Sequence, residues 1–183
     1  MPTNMKNVIA ETFFSMVKEK GVDKITVKEL VENCHISRQT FYYHFQDILD
    51  VVEWSARKGI QKAVEMTMSL QDPVLVMEKV VEAAMENWEI MENLMKSQKR
   101  DYIERIFADS LRDYLLELIR REAPGLEISY EDTVVAIQFY TNGIAGVLLE
   151  QCGKPDCDPK RLARQLLALI HGRIFEHEME KKV

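Results

Sequence analysis

Apolar residues recur along this chain at the spacing of one helix face, and no hairpin turn joins alternating strand-like runs. The first such pattern consists of Ile9, Phe13, Met16 and Val17, which fall at positions i, i+4, i+7 and i+8. Gly21 follows this pattern, and glycine is the usual residue just past a helix end. The same helical spacing continues to the end of the sequence, which predicts an all-α fold.

Capping signals divide the N-terminal part into short helices. Thr26 and Glu29 have the spacing of a capping box at the start of a second helix. Ser37 is a good N-cap for a third helix that runs through Phe45, and Asp47 opens a longer fourth helix. Two short helices joined by a tight turn, the second with polar and aromatic residues outside, are typical of a helix-turn-helix.

The later helices are longer and also begin at capping signals. Asp-Pro pairs at residues 72–73 and 158–159 predict helices to about residues 95 and 178. Two further helices are predicted over about residues 98–122 and 129–152. We therefore expect a three-helix head at residues 1–50 and a larger helical body at residues 51–183.

The composition narrows the class of partner. The formal net charge of −6 argues against a generic binder of nucleic acids or membrane surfaces, so a polyanion must meet a local patch. Three cysteines are too few for a secreted disulfide framework, and we see no signal peptide and no apolar run of membrane-spanning length. The sequence predicts a cytoplasmic protein without membrane contact.

The third helix has one apolar face and one polar face. Phe41 and Phe45 are four residues apart, so they share a face that we expect to pack against Leu30 and Phe13. Arginine pairs with guanine and glutamine with adenine in the major groove, while hydroxyls and histidine suit phosphate. The candidate DNA contacts are Thr26, Lys28, Ser37, Arg38, Gln39, Thr40, Tyr42, Tyr43 and His44.

The stretch "ITVKELVENCHISRQTFYYHFQDILDVV" resembles the DNA-binding region of the tetracycline-repressor (TetR) family. The resemblance is carried by the Thr-capped second helix, the Ile-Ser turn and the T-[FL]-Y-x-H-F pattern, and it covers about residues 5–52. It implies a homodimer that reads a palindrome in double-stranded DNA, with repression as the usual outcome. By this resemblance the family's DNA-contact positions are held here by Thr26, Arg38, Gln39, Thr40, Tyr42 and His44.

Two departures from the family pattern concern the same region. His35 stands in the turn where glycine is usual, and Ile48 stands where a phosphate-gripping lysine is usual. From Lys24 to Gln46 the charge balance is only +1. We therefore expect a shallow salt dependence of DNA binding, with Lys6 or Lys28 at the rim.

The body has features of a dimerisation domain. Gly143 and Gly146 would let another helix approach closely, and the last helix carries a face of recurring residues. The predicted interface residues on that last helix are Leu162, Leu166, Leu169, Ile170 and Arg173. The alternative is that these faces pack only within the subunit.

Methionine and aromatic side chains of the body could line an apolar cavity for a small-molecule effector. The candidates are Met85, Trp88, Met91, Tyr102, Phe107 and Phe139. Two alternatives remain open: each residue could belong to ordinary core, and the body could dock a partner protein instead of sensing a ligand.

No enzymatic function, cofactor or metal is predicted. The chain has no Gly-rich phosphate loop, no H-E-x-x-H and no G-x-S-x-G motif. Cys152 and Cys157 form a C-x4-C loop, which fits a redox disulfide, half of a zinc site or simply two unpaired thiols. The rival to a DNA-binding regulator is a helical module that binds protein with the same head.

Overall fold

A computed structural model describes the chain at residues 4–70, 72–122 and 128–172. Throughout these residues the regular structure is helical, which confirms the predicted all-α fold. A 3-10 turn at Val22–Lys24 follows the first helix. The α-helices are α1 (Met5–Lys20), α2 (Val27–Asn33), α3 (Arg38–His44), α4 (Ile48–Ser69), α5 (Pro73–Glu86), α6 (Trp88–Met95), α7 (Arg100–Glu122), α8 (Tyr130–Gln151) and α9 (Pro159–Ile170).

The predicted capping residues begin and end the short helices of the head. Gly21 ends α1 with φ 76° and ψ 156°, a combination reserved for glycine. The Thr26 hydroxyl accepts a hydrogen bond from the Glu29 N–H at 3.2 Å, and the Ser37 hydroxyl accepts one from the Thr40 N–H at 3.0 Å. In a full capping box the Glu29 carboxylate would also accept a hydrogen bond from the Thr26 N–H. Here that carboxylate pairs with the Lys20 ammonium group instead.

The prediction of a single helix from residue 73 to about residue 95 is wrong, because this segment forms two helices, α5 and α6. The break falls at Asn87, whose side-chain amide donates to the Ala83 carbonyl at 2.7 Å. The Asn87 N–H bonds the same carbonyl at 3.2 Å, so side chain and backbone compete for one helical acceptor. The predicted helix end near residue 178, and Arg173, lie outside the described residues.

The three head helices share one core with a distant segment of the chain. Residues up to 59 form a compact unit together with residues 89–110. Phe13, Leu30, Phe41 and Phe45 are buried together, as expected from the sequence. Leu94 of α6 and Ile103 of α7 are fully buried in the same core. The functional boundary near residue 50 stays a prediction, whereas the packing unit around the head is discontinuous in sequence.

Asp23 ties the head to the connection between α6 and α7. The Ser97 hydroxyl donates to one Asp23 carboxylate oxygen at 2.6 Å, and the Gln98 N–H donates to the other at 2.9 Å. These two bonds hold the pKa of the Asp23 carboxyl below its usual value, with the Ser97 bond contributing most. The Asp23 carboxylate thus bonds two residues that follow it in the sequence by 74 and 75 positions.

A second compact unit contains the described residues of 60–88 and of 111–172. Here α5 lies against α9, and the buried cluster consists of Val81, Cys152, Leu162, Ala163 and Leu166. A methyl group added at Gly153 would lie 2.3 Å from the Trp88 ring, so only glycine fits there.

Candidate nucleic-acid interface

The turn between α2 and α3 is a Schellman motif with histidine at its left-handed position. The Ile36 N–H donates to the Val31 carbonyl at 3.0 Å, and the His35 N–H donates to the Glu32 carbonyl at 3.2 Å. His35 has φ 54°, the conformation for which glycine is the usual residue. Ile36 packs against the core beside Val31, which fixes where α3 begins.

Replacing His35 with glycine is expected to raise the free energy of unfolding by up to about 1 kcal/mol. A left-handed backbone costs a side-chain-bearing residue about 1–2 kcal/mol, part of which is offset because glycine loses more entropy on folding. Urea denaturation of the two proteins measures the difference. The matched control is Glu32→Gly in the helical part of α2, which should destabilise by about 1 kcal/mol. A destabilised His35→Gly protein would show that the histidine side chain makes a stabilising contact.

The outer face of α3 presents polar and aromatic side chains to solvent. Tyr43 is 84% exposed and Tyr42 57% exposed, and Arg38 and Gln39 are exposed as well. The Tyr42 ring meets the buried Phe41 ring edge-on, with 5.4 Å between centroids. This contact orients Tyr42 from the core outward, so the exposed part of the ring has a defined direction.

The remaining predicted contacts flank that face. Thr26 and Lys28 are exposed on α2, while Thr40 and His44 on α3 are half-buried. Ser37 is exposed, and its hydroxyl lies 2.9 Å from the Thr40 hydroxyl. The structure thus places all nine predicted residues at exposed or half-buried positions of α2, α3 and their caps. Their contact with DNA stays a prediction.

At the start of α4, backbone N–H groups already donate hydrogen bonds to nearby aspartate carboxylates. The Asp47 carboxylate accepts hydrogen bonds from the Leu49 and Asp50 N–H groups at 2.7 and 3.0 Å. The Asp50 carboxylate accepts one from the Gln46 N–H at 2.9 Å. Ile48 is half-buried against the head core. Because these donors are already bonded and the local charge is negative, this helix start is a poor phosphate anchor.

Lys6, predicted at the rim, lies over aromatic rings of the head. Its ammonium nitrogen is 5.1 Å from the centroid of Phe45 and 5.9 Å from that of Trp54. Lys58 lies 5.2 Å from the Trp54 centroid. This cation–π cluster could not be predicted from the sequence, because Lys6 and Trp54 belong to different helices.

The residues predicted to line an effector pocket are divided between the two compact units. Met85 and Trp88 pack against the second core, and Phe107 packs against the head core. Tyr102 and Phe139 are exposed. Met91 lies in the head unit, and it is half-buried. The pocket stays a prediction.

The predicted dimer residues also differ in their surroundings. Gly143 and Gly146 are exposed on α8, and an added Cβ at either would meet no atom within 4 Å. Leu169 is exposed and Ile170 half-buried on α9. Leu162 and Leu166 are buried inside the subunit. Within the described residues no group of three or more metal-binding side chains occurs.

Two family comparisons cover most of the chain. Residues 14–53 match "Bacterial regulatory proteins, tetR family", and residues 71–172 match the TetR-type "Transcriptional regulator C-terminal region". The chain belongs to the TetR family. TetR-family regulators bind DNA and control transcription, so the resemblance found in the sequence and the predicted regulator class are confirmed.

Individual relatives of this TetR-family chain are distant. A Bacillus subtilis (strain 168) protein, described as the uncharacterized HTH-type transcriptional regulator YxbF, is 29% identical over 76 residues. That match covers 39% of this chain and 20% of the relative, so the chain spans about a fifth of that protein's length.

Solved structures show the same fold over nearly the whole chain. The dihydroxyacetone kinase operon activator DhaS is 16% identical with a TM-score of 0.69, and the match covers 93% of this chain and 96% of DhaS. SmeT, the repressor of the Stenotrophomonas maltophilia efflux pump SmeDEF, is 19% identical with a TM-score of 0.55, covering 91% and 88% of the two chains.

Proposed function

We propose that this TetR-family regulator is a cytoplasmic repressor that binds a palindromic operator as a homodimer. The observation that carries the proposal is the two-sided α3: Phe41 is buried in the head core, while Arg38, Gln39 and Tyr42 face solvent. A helix anchored on one side and polar on the other is what major-groove readout requires. In the dimer, two copies of α3 enter successive major grooves about 34 Å apart.

The chemical roles follow from the side chains. Arg38 pairs with guanine O6 and N7, and Gln39 pairs with adenine N6 and N7. Tyr42, Tyr43, Thr40 and the flanking residues of α2 donate to phosphate oxygens and fix the register on the duplex. Because most of these donors are neutral, few counterions are released when the protein binds.

The uncovered face of α8 supports the homodimer. Val135 is 67% exposed and Phe139 72% exposed, and they lie on the same side of α8 as Gly143 and Gly146. By length and composition α8 is apolar enough to cross a membrane, although only 17% of that stretch is buried inside the chain. A second α8 would cover this stripe, with the glycines allowing close approach.

Leu162 and Leu166 support that interface from inside the subunit. They are nearly fully buried beside Val81 of α5, so they hold α9 in place and leave Leu169 at the surface. The hydroxyl of Tyr140 on α8 donates to the Ile170 carbonyl at 3.2 Å, which fastens α8 to α9. Two helices from each subunit would then form a four-helix interface.

A small apolar effector is part of the proposal, and it acts by binding one arrangement of the two heads more tightly than the other. The alternative is a partner protein that docks on the body. A thermal-shift screen with apolar metabolites distinguishes these possibilities when it is compared with affinity capture by the same protein. A ligand that raises Tm and releases DNA supports sensing, whereas a captured protein that competes with DNA supports docking.

Selection of preferred DNA from a random pool tests the proposed function. A palindromic site supports both DNA readout and the homodimer. A single half-site contradicts the homodimer, and recovery of no preferred sequence contradicts sequence-specific binding. Placing the selected site over a reporter promoter then tests repression, because DhaS is described as an activator whereas SmeT is described as a repressor. Higher reporter output in the presence of the protein contradicts repression.

Replacing Ile48 with lysine is expected to tighten DNA binding and to steepen its salt dependence. A lysine at the start of α4 adds one phosphate contact per subunit, and each contact adds about 0.9 to the slope of log Kd against log salt. The dimer's slope should therefore increase by about 1.8. Fluorescence anisotropy between low and moderate salt measures it. Ile48→Gln is the neutral control; equal slopes for the two variants would show that this helix start does not face the DNA backbone.

A further inference from the structure

The turn between α8 and α9 places two cysteines in the same apolar cluster. The Lys154 N–H donates to the Gln151 carbonyl, and the Cys157 N–H donates to the Lys154 carbonyl, both at 3.1 Å. These successive turns fold the chain back, so that Cys157 packs against the buried cluster that contains Cys152. Both cysteines are free. Their proximity is a property of the fold and does not depend on the proposed function.

The two thiols differ in their access to solvent. Cys152 is buried in the cluster around Val81, whereas Cys157 is half-buried and lines an open groove of about 450 Å³. Lys154 and Arg161 line the same groove, as do carboxylates of Asp156 and Asp158. Burial, followed by the neighbouring Cys157, raises the pKa of the Cys152 thiol to about 11, so it stays protonated at neutral pH. A dissolved oxidant therefore meets Cys157 first.

We propose that Cys152 and Cys157 form an oxidisable dithiol, which a hydroperoxide converts to an intramolecular disulfide. The Cys157 sulfur attacks the terminal peroxide oxygen, the O–O bond breaks, and the products are a Cys157 sulfenic acid and an alcohol, or water when the oxidant is hydrogen peroxide. The Cys152 sulfur then attacks the Cys157 sulfur. The S–O bond of the sulfenic acid breaks and its hydroxyl group leaves as water with the Cys152 proton, so the two thiols lose two electrons in total and the peroxide is reduced.

The disulfide would change the surroundings of Trp88, because the backbone at Gly153 lies directly against the indole ring of Trp88. Gly153 follows Cys152 in the chain, so closing the bond changes the turn that holds this contact. The chain has two tryptophans, and the other is Trp54 in the head. In a Trp54→Phe background, the emission of Trp88 therefore reports on the turn alone.

Treatment of the full-length protein with hydrogen peroxide tests the proposal. We expect intact-mass spectrometry to show the loss of two hydrogen atoms per chain, and peptide mapping to show a bond between Cys152 and Cys157. The Cys34→Ser control should behave in the same way. Cys157→Ser should retain all its hydrogens, and Trp88 emission should shift on oxidation only when Cys157 is present and return on reduction.

Three outcomes would overturn the proposal. One is further oxidation of Cys157 to a sulfinic acid without any disulfide; another is a bond between two chains; the third is a bond that uses Cys34. Because Cys152 is buried and Cys152→Ser could unfold the protein, Cys157→Ser at the half-buried position is the primary variant. We expect Cys157→Ser to keep a nearly unchanged Tm and, under reducing conditions, unchanged DNA binding. These two results would show that its loss of reactivity does not arise from misfolding.

Discussion

Replacing Arg38 with alanine is expected to weaken binding to the selected operator by roughly 30- to 20,000-fold. A bidentate arginine–guanine contact contributes about 1–3 kcal/mol, and the proposed homodimer would have two of them, so the total is about 2–6 kcal/mol. Arg38 is exposed at the first position of α3, so its removal should change the free energy of unfolding by no more than about 0.5 kcal/mol. Anisotropy titrations with the selected DNA measure the loss.

Two companion variants separate base recognition from charge. Lys28→Ala on α2 should weaken binding to all sequences alike and reduce the salt slope, because we propose that this lysine contacts phosphate. Arg100→Ala removes an exposed arginine of α7 that is paired with Glu104, and it should leave DNA binding unchanged. If Arg38→Ala keeps both the affinity and the base preference of the unmodified protein, α3 does not read the operator in the way proposed.

Replacing Gly146 with leucine should separate the two subunits while each remains folded. Within the subunit an added side chain at this position meets no atom within 4 Å, and leucine favours a helix over glycine by about 1 kcal/mol. At a close helix–helix crossing between subunits, the same side chain would force the partner away. Light scattering should therefore show a monomer with an unchanged or higher Tm. Operator affinity should fall at least about 100-fold, because the second half-site is no longer tethered.

Gly59→Leu is the matched control for this experiment. Gly59 is exposed on α4, and an added Cβ there also meets no atom within 4 Å. It should gain the same helix propensity and remain a dimer. A dimeric Gly146→Leu protein would place the subunit interface on another face of the molecule.

Local signals made the head predictable from the sequence. The caps at Thr26 and Ser37, the end of α1 at Gly21 and the turn that contains His35 each depend on a few neighbouring residues, and the structure has all four. The TetR-like pattern then indicated the function of the outer face of α3. The chemistry of this face could be proposed from the sequence alone. A helix that buries Phe41 on one side exposes the residues on its opposite side.

Features that the spacing of apolar residues does not encode were not predictable. The break at Asn87 arises because its side chain bonds a backbone carbonyl, a choice that helical periodicity does not reveal. Leu162 and Leu166 share a helix face with Leu169, yet the sequence does not show that α5 covers only the first two. The bond from Asp23 to Ser97 joins segments whose proximity is set by the tertiary fold.

The discontinuous head core has a consequence for synthesis on the ribosome. Residues 1–50 emerge before Leu94 and Ile103, which complete their core, and before Ser97, which bonds Asp23. At roughly 5–20 residues per second, the stretch from residue 50 to residue 110 takes roughly 3–12 s to make. During this interval one side of the nascent head core is open to water and to chaperones. Helix α3, which we propose reads DNA, therefore reaches its final packing only after residues up to about 110 have been translated, so a shorter nascent chain would lack a fully supported α3.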